Sequence, residues 1–204
     1  MGFYREQILP RFADRLLGTH EFGKVRAEVC AGLRGDILEI GFGSGLSLPF
    51  LPPEVTGVWA VEPSTVARRL AARRVSASPA PVHQAGLDGS RLDLPDTRFD
   101  AALSTMTLCT IPDVDGALRE LRRVLKPGVR FHFAEHGLAP DHRVARTQDR
   151  YNGFERRIAG GCNLNRDMTA LLAAAGFTIE SLRNFYLKGP KAWSYMYVGR
   201  ARNP

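Results

Sequence analysis

The residues of this chain best suited to chemistry are acids and glycines at the ends of apolar blocks, together with one histidine. In "DILEIGFGSG" an apolar block closes on Glu39 and passes into Gly41, Gly43 and Gly45 at alternate positions. Glycines at that spacing allow left-handed torsions and let backbone amides approach a ligand closely. Position 46 is Leu46, so the pattern is E-x-G-x-G-x-G and departs from the dinucleotide fingerprint G-x-G-x-x-G. A carboxylate ahead of the glycines would repel a pyrophosphate and suits a cationic amino-acid moiety. About twenty residues on, "VWAVEPS" closes on Glu62 and Pro63, where a carboxylate can accept hydrogen bonds from two ribose hydroxyls. "AGLDGS" follows the next block and offers Asp88 to an adenine amino group and the Gly89 amide to a ring nitrogen. Two alternatives stay open: the glycine turn can be purely structural, and Glu62 can cap a helix opening at Ser64.

Further along, "FDAALSTMTLCT" places Ser104 and Met106 at the end of a fourth block, beside the same ligand. Cys109 follows in an apolar context with no histidine indicated nearby, so it reads as packing around cofactor or acceptor rather than as a nucleophile. "FHFAEH" ends the fifth block on Glu135 and His136. His136 is the candidate general base, since imidazole titrates near neutrality, with Glu135 as its orienter or as a substrate contact. A loop histidine bonding backbone is the alternative reading of His136. In "GGCNLNRD", Asn163 and Arg166 are candidate acceptor-pocket residues and Asn165 is the expected helix N-cap. His132, His136 and His142 lack the spacing of a ligand set, and the three cysteines, Cys30, Cys109 and Cys162, form no C-x-x-C pair, so no metal is expected.

These residues need a scaffold that brings the ends of successive blocks together. The sequence predicts helix over 4–32 in two pieces hinged near Pro10 and Gly18. It then predicts strands at 36–41, 57–62, 81–86, 99–104 and 129–135, and helices at 64–75, 114–126, 143–158 and 166–175. Two β-rich runs, 177–184 and 193–201, close the chain around the turn "LKGPK". Strands alternating with helices indicate a parallel sheet covered on both faces, and the last two runs, with no helix between them, should pair antiparallel. The N-terminal helices, with Tyr4, Phe12, His20 and Phe22, are surplus to such a sheet and are expected to form a lid over the acceptor pocket. At 204 residues the chain suits one domain: lid 1–33, cofactor core 34–140, acceptor side 141–204.

Composition narrows the setting. The opening "MGFYREQILPRF" carries Arg, Glu and Pro where a secretory leader would be apolar, and no run of about eighteen apolar residues occurs. The expectation is a cytoplasmic protein without a transmembrane anchor. Lys and Arg number 28 against 21 Asp and Glu, a net charge of +7. The excess is arginine spread over predicted helices, which reads as solvated surface; a nucleic-acid-directed enzyme is the second reading.

Four stretches, "DILEIGFGSG", "VEPS", "FDAALSTMTLCTI" and "ALRELRRVLKPGVRFHFAEH", resemble the motifs of class I S-adenosylmethionine (SAM)-dependent methyltransferases over about residues 30 to 136. The resemblance implies a Rossmann-like α/β fold with a seven-stranded, mostly parallel sheet and an antiparallel terminal strand. It also implies SAM as cofactor, S-adenosylhomocysteine as product and a small-molecule methyl acceptor, with no specific nucleic-acid partner. "TLC" at 107–109, "EH" at 135–136 and "GGCNLNRD" at 160–167 are similar to the methyltransferase-like thiol S-methyltransferases of animals and their small bacterial relatives. A hydrophobic thiol is thus the first acceptor implied, with a quinone-type ring carbon or a phenol next; a non-catalytic SAM-binding protein is a further alternative.

Overall fold

Each apolar block read from the sequence becomes a strand of one sheet in the computed structural model, which describes residues 2–204. The strands are β1 (Gly35–Ile40), β2 (Val55–Val61), β3 (Val82–Gly86), β4 (Phe99–Thr105), β5 (Leu125–His136), β6 (Thr178–Tyr186) and β7 (Tyr195–Arg202). They lie in the order β3-β2-β1-β4-β5-β7-β6. β1 pairs parallel with both β2 and β4, and β4 pairs parallel with β5. β7 is inserted antiparallel between β5 and β6, so the antiparallel end expected of the last two runs is present. The order reverses between β1 and β4, the place where an open parallel sheet leaves a crevice beyond its carboxyl ends.

Helices cover both faces because the central strands are apolar on both sides. α2 (His20–Cys30) and α3 (Thr65–Ser76) close one face, where Val25, Val29 and Ala71 meet Ile37, Val58 and Leu103. α4 (Val114–Val124) and α6 (Met168–Ala174) close the other, around Phe99, Phe131 and Phe133. α4 shows the logic most plainly. Val114, Ala117, Leu118, Leu121 and Val124 recur at helical spacing and are all buried, and the Asp113 carboxylate caps the first turn by accepting from the Gly116 amide at 2.8 Å.

Three local expectations are corrected. No hinge exists at Pro10: a π-helical turn, Tyr4–Ile8, runs directly into α1 (Leu9–Leu17). Proline in a first helical turn has no amide to lose, so the chain breaks only at Gly18. α6 begins at Met168 and is capped by Asp167, which accepts from Thr169 and Ala170, so Asn165 is not the N-cap. Asn165 instead donates to Asp149 of α5 (His142–Ile158) at 2.8 Å. A short helix, α7 (Lys191–Ser194), also precedes β7 where only β structure was expected.

The segment that leaves β5 is held by one buried amide. Gln148, fully buried on α5, accepts from the Ala139 amide at 2.9 Å and donates to the carbonyls of Gly137 at 2.9 Å and Ala192 at 3.1 Å. Gln148→Leu would leave three buried backbone groups without partners, so a loss of roughly 3–5 kcal/mol is expected. Thermal unfolding should register it as a midpoint lower by about 10 °C.

Candidate active site

The carboxyl ends of β1, β2, β4 and β5 bring the sequence-selected residues to one edge of the sheet. Glu39, next to last in β1, is 1% exposed, and neither of its carboxylate oxygens has a hydrogen-bond partner. Burial pushes its pKa up to about 7 against the opposing pull of Ser47 and Arg26. An unpartnered buried carboxylate at a crevice fits a cationic ligand group, because a nearby ammonium would restore the charged form.

The glycine turn is shaped by two different constraints. Gly41 has φ +74°, and a Cβ there would stand 2.0 Å from Thr107 Oγ1, so only glycine permits the turn to lie against the β4 loop. Gly43 has φ +57°, yet a Cβ there would meet nothing closer than the Gly41 carbonyl at 3.8 Å. The space above Gly43 is therefore free of protein, as a cradle for a ligand must be. The Gly43 amide donates to Glu62 Oε2 at 2.8 Å, and the Ser64 amide donates to Glu62 Oε1 at 2.7 Å. Each oxygen keeps a lone pair for a ribose hydroxyl. Ser64, not Glu62, caps α3 by accepting from Ala67 at 3.1 Å. Gly45 closes the turn by donating its amide to the Phe42 carbonyl, and Pro63 is exposed beyond Glu62.

Asp88 stands exposed on the turn after β3, accepting from the Ser90 amide and hydroxyl, which hold its carboxyl below the usual range. Gly89 beside it is buried, with a Cβ position 3.0 Å from Ile40. The pair forms the rim of the crevice on the adenine side. α1 covers the glycine turn: Asp14 accepts from Ser44 Oγ at 2.6 Å and from Arg74 at 2.9 Å.

Glu135 and His136 do different things. Glu135 is fully buried, its pKa pushed up to about 7 by desolvation. It accepts from Ser104 Oγ at 2.7 Å and from the Thr107 amide at 2.8 Å, so it fixes the loop after β4 and does not orient His136. Ser104 is consumed in that contact rather than facing the crevice. Met106, at the same loop, has φ +54°, a strained torsion for a side chain with a Cβ.

The partner of His136 Nδ1 is Cys162 Sγ at 3.6 Å, and His136 Nε2 is buried without a partner. Cys109 joins them, and one ligand atom from each of the three lies within 4.8 Å of the others. The sequence indicates no histidine near Cys109; the fold brings His136 and Cys162 to it from two other elements. His132 is far from this cluster in role, its Nδ1 2.7 Å from the Val29 carbonyl under α2. The signal that could have found the cluster was "GGC": Gly160 at φ +67° and Gly161 at φ +104° bend the chain after α5 so that Cys162 meets the loop after β4. Asn163 pins that bend, with its backbone amide donating to the Cys109 carbonyl at 2.8 Å and its side chain at 3.0 Å. Arg166 donates to the Leu108 carbonyl, so both expected pocket residues support the cysteine loop. Tyr4 donates to the Ile158 carbonyl at 2.9 Å, which carries the N-terminal helix across the same bend.

Comparison with known proteins finds methyltransferases. A methyltransferase-domain family model matches residues 38–133. The human thiol S-methyltransferase TMT1A is 26% identical over 210 residues, covering 93% of this chain and 76% of the human protein. The ubiquinone/menaquinone biosynthesis C-methyltransferase UbiE of Caulobacter sp. (strain K31) is 36% identical over 98 residues, 48% of this chain and 37% of its own length. A putative methyltransferase from Bacillus halodurans superposes with a TM-score of 0.71 at 17% identity, covering 91% of this chain and all of that one. A SAM-dependent methyltransferase from Thermotoga maritima does so with a TM-score of 0.68 at 20% identity, covering 100% and 99%. The fold is therefore that of the Rossmann-like, class I methyltransferases. The chain is a SAM-dependent methyltransferase, and SAM is the cofactor that the glycine turn, Glu39 and Glu62 fit.

Two outcomes follow from this geometry. Gly43→Asn, a side chain that tolerates the left-handed torsion, should fold and yet lose SAM binding in calorimetry because it enters the open cradle, whereas Glu62→Ala should weaken binding by about 1–3 kcal/mol. Glu39 gives a pH signature. Its carboxyl holds a proton in the folded chain up to about pH 7 but has an ordinary value of 4.5. The folded state thus binds more protons than the unfolded state between those values, and stability falls as pH rises through that window. Glu39→Gln should make this decline shallower in apo-protein melting curves, with Glu135, raised to the same range, supplying the remainder, and should weaken SAM binding.

Proposed function

We propose that the protein transfers the SAM methyl group to a small hydrophobic acceptor, a thiol in the first instance, in the cytoplasm. One observation carries the reading. In this fold the cofactor is held by the first half of the chain, and acceptor choice falls to the elements around it. The match to the thiol S-methyltransferase covers 93% of the chain and so must include most of 141–204. The match to UbiE covers 48% and cannot span both cofactor core and acceptor side. Quinone-type C-methylation is accordingly the second reading, resting on the higher identity of that shorter match.

Methyl transfer from a sulfonium is an in-line displacement, so the protein's task is to hold the acceptor atom behind the methyl group and to exclude water. A thiolate acceptor and the sulfonium neutralise each other in the transition state, which a dry surrounding favours. The buried loop of Leu108 and Cys109 and the lid contacts of Tyr4 with Ile158 and of Leu9 with Gly160 support such a surrounding. Among the described residues no helix is long and apolar enough to cross a membrane.

Radiolabelled SAM offered with hydrophobic thiols, phenols and quinols tests the reading. Labelled thioether is the expected product; exclusive labelling of a quinol ring carbon, or of RNA or DNA, would replace the acceptor. His136→Asn should leave SAM affinity within about twofold and lower turnover at least 10²-fold, the loss typical of a group acting on the reacting atom. Equal losses in SAM binding would instead put His136 on the cofactor.

A further inference from the structure

We propose that Cys109, His136 and Cys162 form a zinc site with an open fourth position, and that this position takes the sulfur of the methyl acceptor. The second half of the statement rests on the thiol reading; the first does not.

The donor set is the soft, nitrogen-and-sulfur kind that zinc selects, with three protein ligands and one vacancy, as catalytic sites of that ion have. The spacing agrees. Zinc bonds of about 2.3 Å to sulfur and about 2.0–2.1 Å to nitrogen at a tetrahedral angle separate the two ligand atoms by about 3.6 Å. Cys162 Sγ and His136 Nδ1 are 3.6 Å apart, and Cys109 Sγ lies within 4.8 Å of Cys162 Sγ and of a ring nitrogen of His136. That 3.6 Å separation serves a sulfur–imidazole hydrogen bond and equally suits two ligands of one ion. The surroundings hold the donors in place before any ion arrives. Asn163 fixes the Cys109 backbone, Glu135 fixes the loop that carries it, and Gln148 fixes the segment after His136. Two thiolates neutralise a divalent cation, so the filled site carries no net charge into a buried region. Arg166, half-buried beside the sulfurs, favours their ionised form.

The chemistry balances. An acceptor thiol entering the fourth position loses its proton to solvent and stays as a metal-held thiolate, much of it ionised at neutral pH. Its lone pair forms the new S–CH3 bond while the sulfonium S–CH3 bond breaks, returning that electron pair to the S-adenosylhomocysteine sulfur. The resulting thioether is a neutral, weaker ligand and can leave. In this arrangement His136 acts as a ligand, and deprotonation needs no separate base.

Metal analysis of protein purified without chelator, and of apo-protein reloaded with zinc and dialysed, should give one zinc per chain. Cobalt in its place should produce a thiolate-to-metal charge-transfer band. Cys162→Ser and Cys109→Ser should lower retained zinc at least tenfold and abolish the band, with circular dichroism checking that each variant is folded. Cys30→Ala, in the core away from this site, should keep both. Substoichiometric zinc in the parent, or equal retention by the serine variants, overturns the site, as does undiminished thiol methylation by zinc-free protein. Stoichiometric zinc lost in the serine variants but no thiol methylated would leave the site standing and overturn the thiol reading instead.

Discussion

A buried carboxylate ties the two strands on which the active edge is built. Glu135, at the end of β5, takes the Ser104 hydroxyl of β4 with one oxygen and the Thr107 amide with the other. A carboxylate so deep needs partners, and the partners available are the last turn of β4 and the loop after it. Once that loop is fixed, Thr107 fills the space in which a side chain at position 41 would lie, so the glycine turn after β1 must be what it is. The same loop then presents Cys109 to the bend after α5. Cofactor cradle and acceptor side are thus consequences of one contact in the middle of the sheet.

The two halves of the edge use polarity in opposite ways. Around the cofactor, Glu39 and Glu62 are buried acids, both with pKa raised by desolvation, one without partners and the other half satisfied by backbone amides. That arrangement stores unfavourable burial which a cationic, hydroxyl-bearing ligand relieves, so binding and stability are coupled. On the acceptor side the polar groups are sulfur and imidazole in a largely apolar setting. Within the cysteine pair the Cys162 thiol is pulled down, first by the contact with Cys109 and then by His136, while the Cys109 thiol is pushed up by the same contact and by burial. A soft, weakly hydrated site of this kind discriminates by atom type more than by shape.

The N-terminal helices connect these halves to solvent. α1 is tied to the glycine turn through Asp14 and Ser44 and to the bend before Cys162 through Tyr4 of the turn that precedes it. Its outer side leaves Phe12 and Leu16 exposed, at 59% and 50%. A helix held by a few polar contacts, with no buried residue of its own, contributes little to stability.

The strands and the glycine and carboxylate positions at their ends could be read from the sequence alone. Glu39, the glycines and Glu62 are legible because each lies next to a strand end, and a parallel sheet gathers all such ends on one edge. Local pattern was enough, since strand period and glycine spacing are properties of a few neighbouring residues. Which side chains meet across that edge depends on the packing of the whole chain. Glu135 and His136 are adjacent in sequence, yet alternation along a strand sends one into the sheet's neighbour loop and leaves the other for Cys162. Cys109 lies 27 positions before His136 and 53 before Cys162. Their meeting depends on the β4–β5 ladder and on two left-handed glycines in the bend after α5, and no local period records a contact made through three separate elements.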